Sequence, residues 1–405
     1  MSSKARQYEF LDWEFGVFFH FGIRTFYEGH HDWDLQEMDA KRFDPAELDC
    51  SQWVSVIKKA GAKYAILVCK HHDGFANWPS AYTRHSVAGS PWKGGKGDVV
   101  REYVDACREG GIKVGLYYSP AEFGSSARAP EDHDGYFINQ VSELLTNYGK
   151  IDYLWFDGNG SSGHKYDSAR IVAQIRRLQP EILLFNMWDP DTRWAGNESG
   201  YAHYFSPPEV DAGTPTVHVD AMLDPGRKRF LPVECDVRMR RRNWFYSDFD
   251  EGTVKSVEEL MGIYDYSVGR GANFLINISP NRQGLLPKTD SARLIEFGDA
   301  LRRRFENPIP AAASKNASVY AYDLESPMLV TMAVLEEEPD YRADGFIIEA
   351  CPYESGDPIT VYAGRTIGHK AICSFPPFYT MKVSVSLTGK AAALRNVSIY
   401  GKPAP

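Results

Sequence analysis

The sequence predicts an α/β protein with a (β/α)8-like barrel over residues 1–309 and a C-terminal antiparallel β-sandwich over residues 310–405. Three observations predict it. Short apolar runs alternate with amphipathic stretches to about residue 310, the pattern of a parallel sheet covered on both faces. No GxGxxG follows the first run, and six or more such units in about 300 residues favour a closed barrel over an open nucleotide-binding sheet. Helical periodicity then stops at the breaker NPIP, 307–310, and short β-branched segments take over.

Taken in order, the strand candidates are GVFFHFG (16–22), YAILVC (64–69), KVGLYYS (113–119), YLWFDG (153–158), EILLFN (181–186) and NFLINIS (273–279). Helix-like stretches lie between them at 46–61, 98–111 and 134–149. In the last, Phe137, Val141, Leu144, Leu145 and Tyr148 recur at i, i+4, i+7, i+8 and i+11, one helical face. Gly61 and Gly111 sit where a left-handed C-cap is wanted. A helix over 291–306 closes the series. Beyond it, SVYAYDL, MLVTMAVL, GFIIEACPY, ITVYAG, MKVSVSL and RNVSIYG, punctuated by Pro, Gly and Asp, read as the strands of a sandwich.

Composition narrows the function. The formal charge of −9 argues against a nucleic-acid partner, and the run Arg240–Arg242 is too short to change that. Six scattered cysteines without CxxC spacing indicate neither a zinc ribbon nor a disulfide scaffold. No stretch approaches 18 apolar residues, so no membrane partner is expected. The start, MSSKARQYEFLDWEFG, lacks an apolar signal core, and the expectation is a cytoplasmic protein. Homo-oligomerisation rests on base rates alone. Aromatic residues are 13% of the chain, which serves a large core and equally a sugar-binding cleft.

Barrel enzymes build their sites at the C-terminal ends of the strands. Read there, the chain offers His20, then His71, His72 and Asp73, then Tyr117, then Trp155 and Asp157. Asp157 ends an apolar strand and precedes the loop GNGSSG, where a ligand can approach the backbone. Strand alternation turns Tyr153, Trp155 and Asp157 one way and Leu154 and Phe156 the other. A carboxylate beside a tryptophan at a strand end suits a nucleophile against a sugar ring. Such a nucleophile needs a second carboxyl group as proton donor. Glu198, near Arg193 and Trp194 in a loop rich in Gly and Asn, is the first choice, with Glu234 in reserve. The histidines with Asp157 also admit a metal-dependent hydrolase, but HxH and HExxH spacings are absent, and neither metal nor cofactor is expected.

The strings WEFGVFFHFGIRTF, KHHDGFANWPSAYT, SPWKGGKGDVVREYVDAC, GLYYSP, LWFDG, RWAGNESGYA, VECDVRMRRRNWFY and SVGRGANFLINISPNRQG run in order over residues 9–305. Together they resemble the α-L-fucosidases of glycoside hydrolase family 29. The resemblance implies a (β/α)8-like catalytic domain with a β-sandwich behind it. It also implies hydrolysis of terminal α-L-fucose with retention, through a fucosyl-enzyme ester. It places the nucleophile at Asp157 and fucose contacts at His20, His71, His72, Tyr117, Trp155, Arg193 and Trp244. RWAGNESGYA and the VECDV to NWFY stretch look most like the subgroup that prefers branched α-1,3/4-linked fucose, with Glu198 as proton donor. The implied partner is a fucosylated oligosaccharide.

Two departures stand out. The family's Glu-Trp pair that grips fucose is Asp32-Trp33 here, one methylene shorter. Its subgroup's Trp-Asp after GLYYSP is Ala121-Glu122. A non-catalytic fucose-binding protein is the reading from a different class.

Overall fold

The structure, a computed structural model, describes residues 3–28, 36–122, 132–159, 163–203, 209–211, 228–339, 342–354, 356–389 and 392–403. The chain packs as two compact units. One comprises Met1–Gly200, Glu209–Leu260 and Asn273–Gly298; the other comprises Tyr201–Pro208, Met261–Ala272 and Asp299–Pro405.

The first unit is a near-closed barrel of eight parallel strands. In chain order the elements up to residue 305 are α1 (Ser3–Trp13), β1 (Phe15–Phe19), α2 (Cys50–Ala60), β2 (Tyr64–Lys70), α3 (Val99–Gly110), β3 (Lys113–Tyr118), α4 (His133–Asn147), β4 (Tyr153–Phe156), α5 (Ser168–Leu178), β5 (Leu183–Phe185) and β6 (Arg193–Trp194). A two-stranded ribbon, β7 (Glu209–Asp211) with β8 (Lys228–Phe230), precedes β9 (Val233–Arg238), α6 (Val257–Ser267), β10 (Asn273–Asn277) and α7 (Lys288–Phe305). The strand order is β5-β4-β3-β2-β1-β10-β9-β6, and a parallel bridge between Phe185 and Thr192 joins the two ends.

The helices form where the periodicity and the caps agree. Asp49 and Asp98 each accept a backbone N–H of the first turn of α2 and α3, and Gly61 and Gly111, at φ 92° and 70°, close their C-termini. These ends are fixed locally, so the strands that follow start in register: Tyr64 pairs with Lys113 and Gly115 with Tyr153.

Inside the barrel the packing is aromatic. Phe10 and Trp13 of α1 reach Tyr64 and Tyr153 at the strands' N-terminal ends, with centroids 5.2–5.9 Å apart. The Tyr64 ring fits there because β1 presents Gly16, whose Cβ would stand 2.4 Å from that ring. Higher up, Tyr117, Trp155 and Phe185 share one rung of paired residues across β3, β4 and β5. Leu154 and Phe156 face the other way; Phe156 packs on Phe137 of α4 at 5.6 Å.

The second unit contains the antiparallel sheet of β11 (Ala311–Asn316), β12 (Val319–Glu337), β13 (Gly345–Pro352), β14 (Ile359–Gly364), β15 (Ala371–Thr388) and β16 (Leu394–Pro403). Its order is β11-β12-β15-β13-β14, with β16 added to β12. The segments SVYAYDL and MLVTMAVL are one strand, β12, carried through register shifts between Asp323 and Met328 and between Val330 and Met332. Residues from both halves of β12, among them Tyr322, Leu324, Ala333 and Leu335, share one core with Phe346, Ile348, Val383 and Ile399. No helix among the described residues is long and apolar enough to cross a membrane.

Candidate active site

The C-terminal mouth of the barrel gathers the residues that follow β1, β2, β3, β4 and β9. His20 comes directly after β1 and is buried. Its ring lies 4.9 Å from Trp244, 5.8 Å from His71 and 6.0 Å from Tyr117. His71 and His72 lie just past the last residue of β2, so strand alternation no longer parts them, and their rings stand 4.3 Å apart. A buried ion pair, Arg24 with Asp73 at 3.1 Å, ties the loop after β1 to the loop that carries both histidines. His71, Tyr117, Trp155 and Phe185 form one continuous stack, with interplanar angles of 8°, 23° and 10°. The Tyr117–Trp155 and Trp155–Phe185 pairs each contribute about 0.5–1.5 kcal/mol beyond burial.

Asp157 sits one residue beyond β4 with its side chain 24% exposed. Tyr117 donates its phenol to Oδ2 at 2.7 Å, His72 Nε2 approaches the same oxygen at 3.4 Å, and the Asn159 N–H donates to Oδ1 at 2.8 Å. Burial alone would raise this carboxyl. The His72 imidazole, the Tyr117 hydroxyl and the Asn159 amide outweigh it and hold the group at about 2. Asp157 is therefore ionised throughout the ordinary pH range.

His20 has the opposite character. Burial depresses it to about 3, against the favourable hydrogen bond that the ring donates to Asn277, so the ring is neutral. Asn277, the last residue of β10, donates through Nδ2 to the Trp244 carbonyl at 2.7 Å and offers Oδ1 to His20 Nδ1 at 2.8 Å. A neutral imidazole with its proton on Nδ1 presents Nε2 as an acceptor, which suits a sugar hydroxyl.

Glu198 lies in the loop that bridges to β9 through Ser199 and Val237. Its side chain is 46% exposed. Trp244 Nε1 donates to Oε2 at 3.3 Å, and the Arg238 guanidinium stands 4.0 Å from the same oxygen and 5.4 Å from the Trp244 ring. Glu234, by contrast, lies within the barrel and is fully buried. Tyr64 donates to its Oε2 at 2.6 Å, and Trp155 and Tyr153 donate to Oε1 at 2.8 and 3.3 Å. Burial raises it to about 7 despite these bonds. It fixes the floor under Trp155.

The remaining sequence candidates fall as follows. Arg193 pairs in register with Val233, while Trp194 pairs with Glu234. Parallel neighbours share a face, so Trp194 turns into the barrel, where its Nε1 donates to Asp236 at 2.7 Å, and Arg193 turns to the outer face beside Cys235. Asp32 and Trp33 lie outside the described residues. Ala121 and Glu122 act behind the site: Glu122 binds the wholly buried Lys70, and the Ala121 carbonyl accepts the Ser119 hydroxyl at 2.6 Å. His71, His72 and Asp157 each bring a ligand-type atom within 4.8 Å of the other two. Tyr117 donates to Asp157 Oδ2, and Ser119 engages His72 Nδ1 at 2.6 Å.

Four residues here escape the sequence reading. Asn277 and Ser119 end apolar runs, where the strand-end rule could have flagged them. Asp236 and Arg238 stand two and four residues after Glu234, on the same face of β9. Asp236 is buried beside Trp194 and is raised to about 8, by burial first and by the charges of Glu198 and Glu234.

Comparison with known proteins gives the family. Residues 1–306 match the alpha-L-fucosidase family. Alpha-L-fucosidase 1 of Arabidopsis thaliana is 32% identical over 412 residues, covering 90% of this chain and 80% of that protein. Tissue alpha-L-fucosidase of Mus musculus is 26% identical, covering 67% of this chain and 60% of that protein. Among solved structures, a glycoside hydrolase 29 family member from an unknown rumen bacterium aligns with TM-score 0.88 and 32% identity, over 99% of this chain and 77% of that one.

Proposed function

The chain belongs to the alpha-L-fucosidase family, glycoside hydrolase family 29, and from that premise we propose a retaining exo-α-L-fucosidase with Asp157 as nucleophile and Glu198 as acid and base. The observation that carries this reading is the state of Asp157, an ionised, partly covered carboxylate at a strand end in the barrel mouth, aimed by Tyr117 and His72. In the first step an Asp157 oxygen bonds to the anomeric carbon of fucose, the glycosidic C–O bond breaks, and Glu198 gives its proton to the leaving oxygen. In the second step Glu198, now a carboxylate, takes a proton from water. The water oxygen bonds to the anomeric carbon and Asp157 is released.

The rest of the mouth supports recognition. Neutral His20 accepts from a sugar hydroxyl, and Trp244 and the edge of the aromatic stack offer flat apolar faces. The exposed setting of Glu198 leaves room for a bulky leaving group above it, which supports the branched α-1,3/4 preference. The substrate is a terminally fucosylated oligosaccharide.

The test is fucose release from an aryl α-L-fucoside, an α-1,2-fucosylated trisaccharide and an α-1,3/4-branched one, by wild type and Asp157→Asn, with and without EDTA. The proposal expects release from the branched sugar, indifference to EDTA, and loss of several orders of magnitude in the variant. Release from the α-1,2 sugar in preference to the branched one would refute the linkage assignment. EDTA-sensitive release restored by zinc would convert the His71, His72 and Asp157 trio into a metal site.

A further inference from the structure

Two histidines of the mouth are held from behind in the same way. His20 Nδ1 meets Asn277 Oδ1, and His72 Nδ1 meets Ser119 Oγ at 2.6 Å. Ser119 is completely buried after β3. Its single hydroxyl proton is committed to the Ala121 carbonyl at 2.6 Å, so toward His72 it has only lone pairs to offer. His72 Nδ1 must then be the donor. Nε2 of the same ring then stands 3.4 Å from Asp157 Oδ2.

We propose that Ser119 is a positioning residue of the reaction: by accepting Nδ1–H of His72 it fixes the tautomer and orientation of that ring and commits Nε2 to the side of Asp157. Asp157 after β4, His20 after β1 and His71 beside it are among the titratable groups around His72. The tetrad of Ala121 carbonyl, Ser119, His72 and Asp157 thus runs from the backbone behind β3 to the nucleophile. The inference rests on reading Asp157 as nucleophile.

The experiment uses the full chain labelled with 15N-histidine. Two-bond 1H–15N correlation reads which ring nitrogen carries the proton, with His72→Gln assigning the signal. In the wild type the neutral His72 ring should carry its proton on Nδ1. Ser119→Ala should release this constraint and give a mixture with, or a switch to, the neutral Nε2–H form. The acid limb of its kcat/KM should rise toward the ordinary carboxylate range near 3.9, roughly a hundredfold change in proton affinity at most. A wild type that carries its lone proton on Nε2 overturns the proposal without reference to any variant. So does a Ser119→Ala spectrum identical to that of the wild type. Failure of the underlying reading is separate: Asp157→Asn would then keep its activity, whatever the tautomer of His72.

Discussion

The phenol of Tyr117 donates to Oδ2 of Asp157 at 2.7 Å while its ring stacks on His71 at 5.6 Å and on Trp155 at 5.3 Å. One side chain therefore both places the carboxylate and stabilises its charge. Tyr117→Phe keeps the stack and removes the donor. A hydrogen bond to a charged group is worth about 1.5–3 kcal/mol, so kcat/KM on an aryl fucoside should fall about 10- to 100-fold with thermal unfolding little changed. An undiminished kcat/KM would mean the phenol has no part in the chemistry.

Glu234 makes stability depend on pH. Its folded value of about 7 lies above the ordinary 4.5, so between these values the folded chain holds a proton that the unfolded chain releases. The contribution is full below pH 4.5 and is lost as pH rises through 7. The shift corresponds to roughly 3 kcal/mol. Glu234→Gln should flatten this decline in a series of melts between pH 4.5 and 7.5. A wild type and variant with parallel melting profiles would contradict the assignment.

His20 acts with the opposite sign. Its folded value of about 3 lies below the ordinary 6.5, so as pH falls through this window the unfolded chain takes up a proton that the folded chain refuses. Its stabilising contribution is full above pH 6.5 and is lost toward pH 3. In an NMR titration the His20 ring should stay neutral down to at least pH 4. A midpoint near 6.5 would show that the ring is solvated, and would remove the argument for Nε2 as a standing acceptor.

Much of this was legible in sequence because both-face burial writes β1 to β5 and β10 as apolar runs and because caps mark α2 and α3. Asp157 was legible as the residue that ends such a run before a glycine-rich loop. β9 was hidden by its own chemistry: Glu234, Asp236 and Arg238 all face inward, so the strand reads as polar. β6 has only two residues, Arg193 and Trp194, too few to show which of them turns inward; only pairing with Val233 and Glu234 decides it. The same lack of local signal split β12 in two, because a bulge interrupts alternation without ending the strand. The tautomers set by Asn277 and Ser119 depend on contacts between residues far apart in the chain, which no periodicity reports.

Glu198 is the other half of the proposed chemistry, and Trp244 reaches its Oε2 at 3.3 Å. Glu198→Gln should lose about two to four orders of magnitude on substrates with poor leaving groups and much less on an activated aryl fucoside, with rescue by azide. Trp244→Phe should lower activity modestly while preserving the response to azide only in combination with Glu198→Gln. Equal losses on both kinds of substrate, with no rescue, would move the proton donor elsewhere.

The central claim is tested most directly by trapping the intermediate. Wild type is incubated with a slow 2-fluoro-fucosyl substrate that carries a good leaving group, and the digested protein is mapped by mass spectrometry. The account predicts one fucosyl adduct, carried by the peptide that contains Trp155, Phe156 and Asp157, and fragmentation that places it on Asp157. An adduct on any other carboxylate, or turnover with inversion and no adduct, would contradict it.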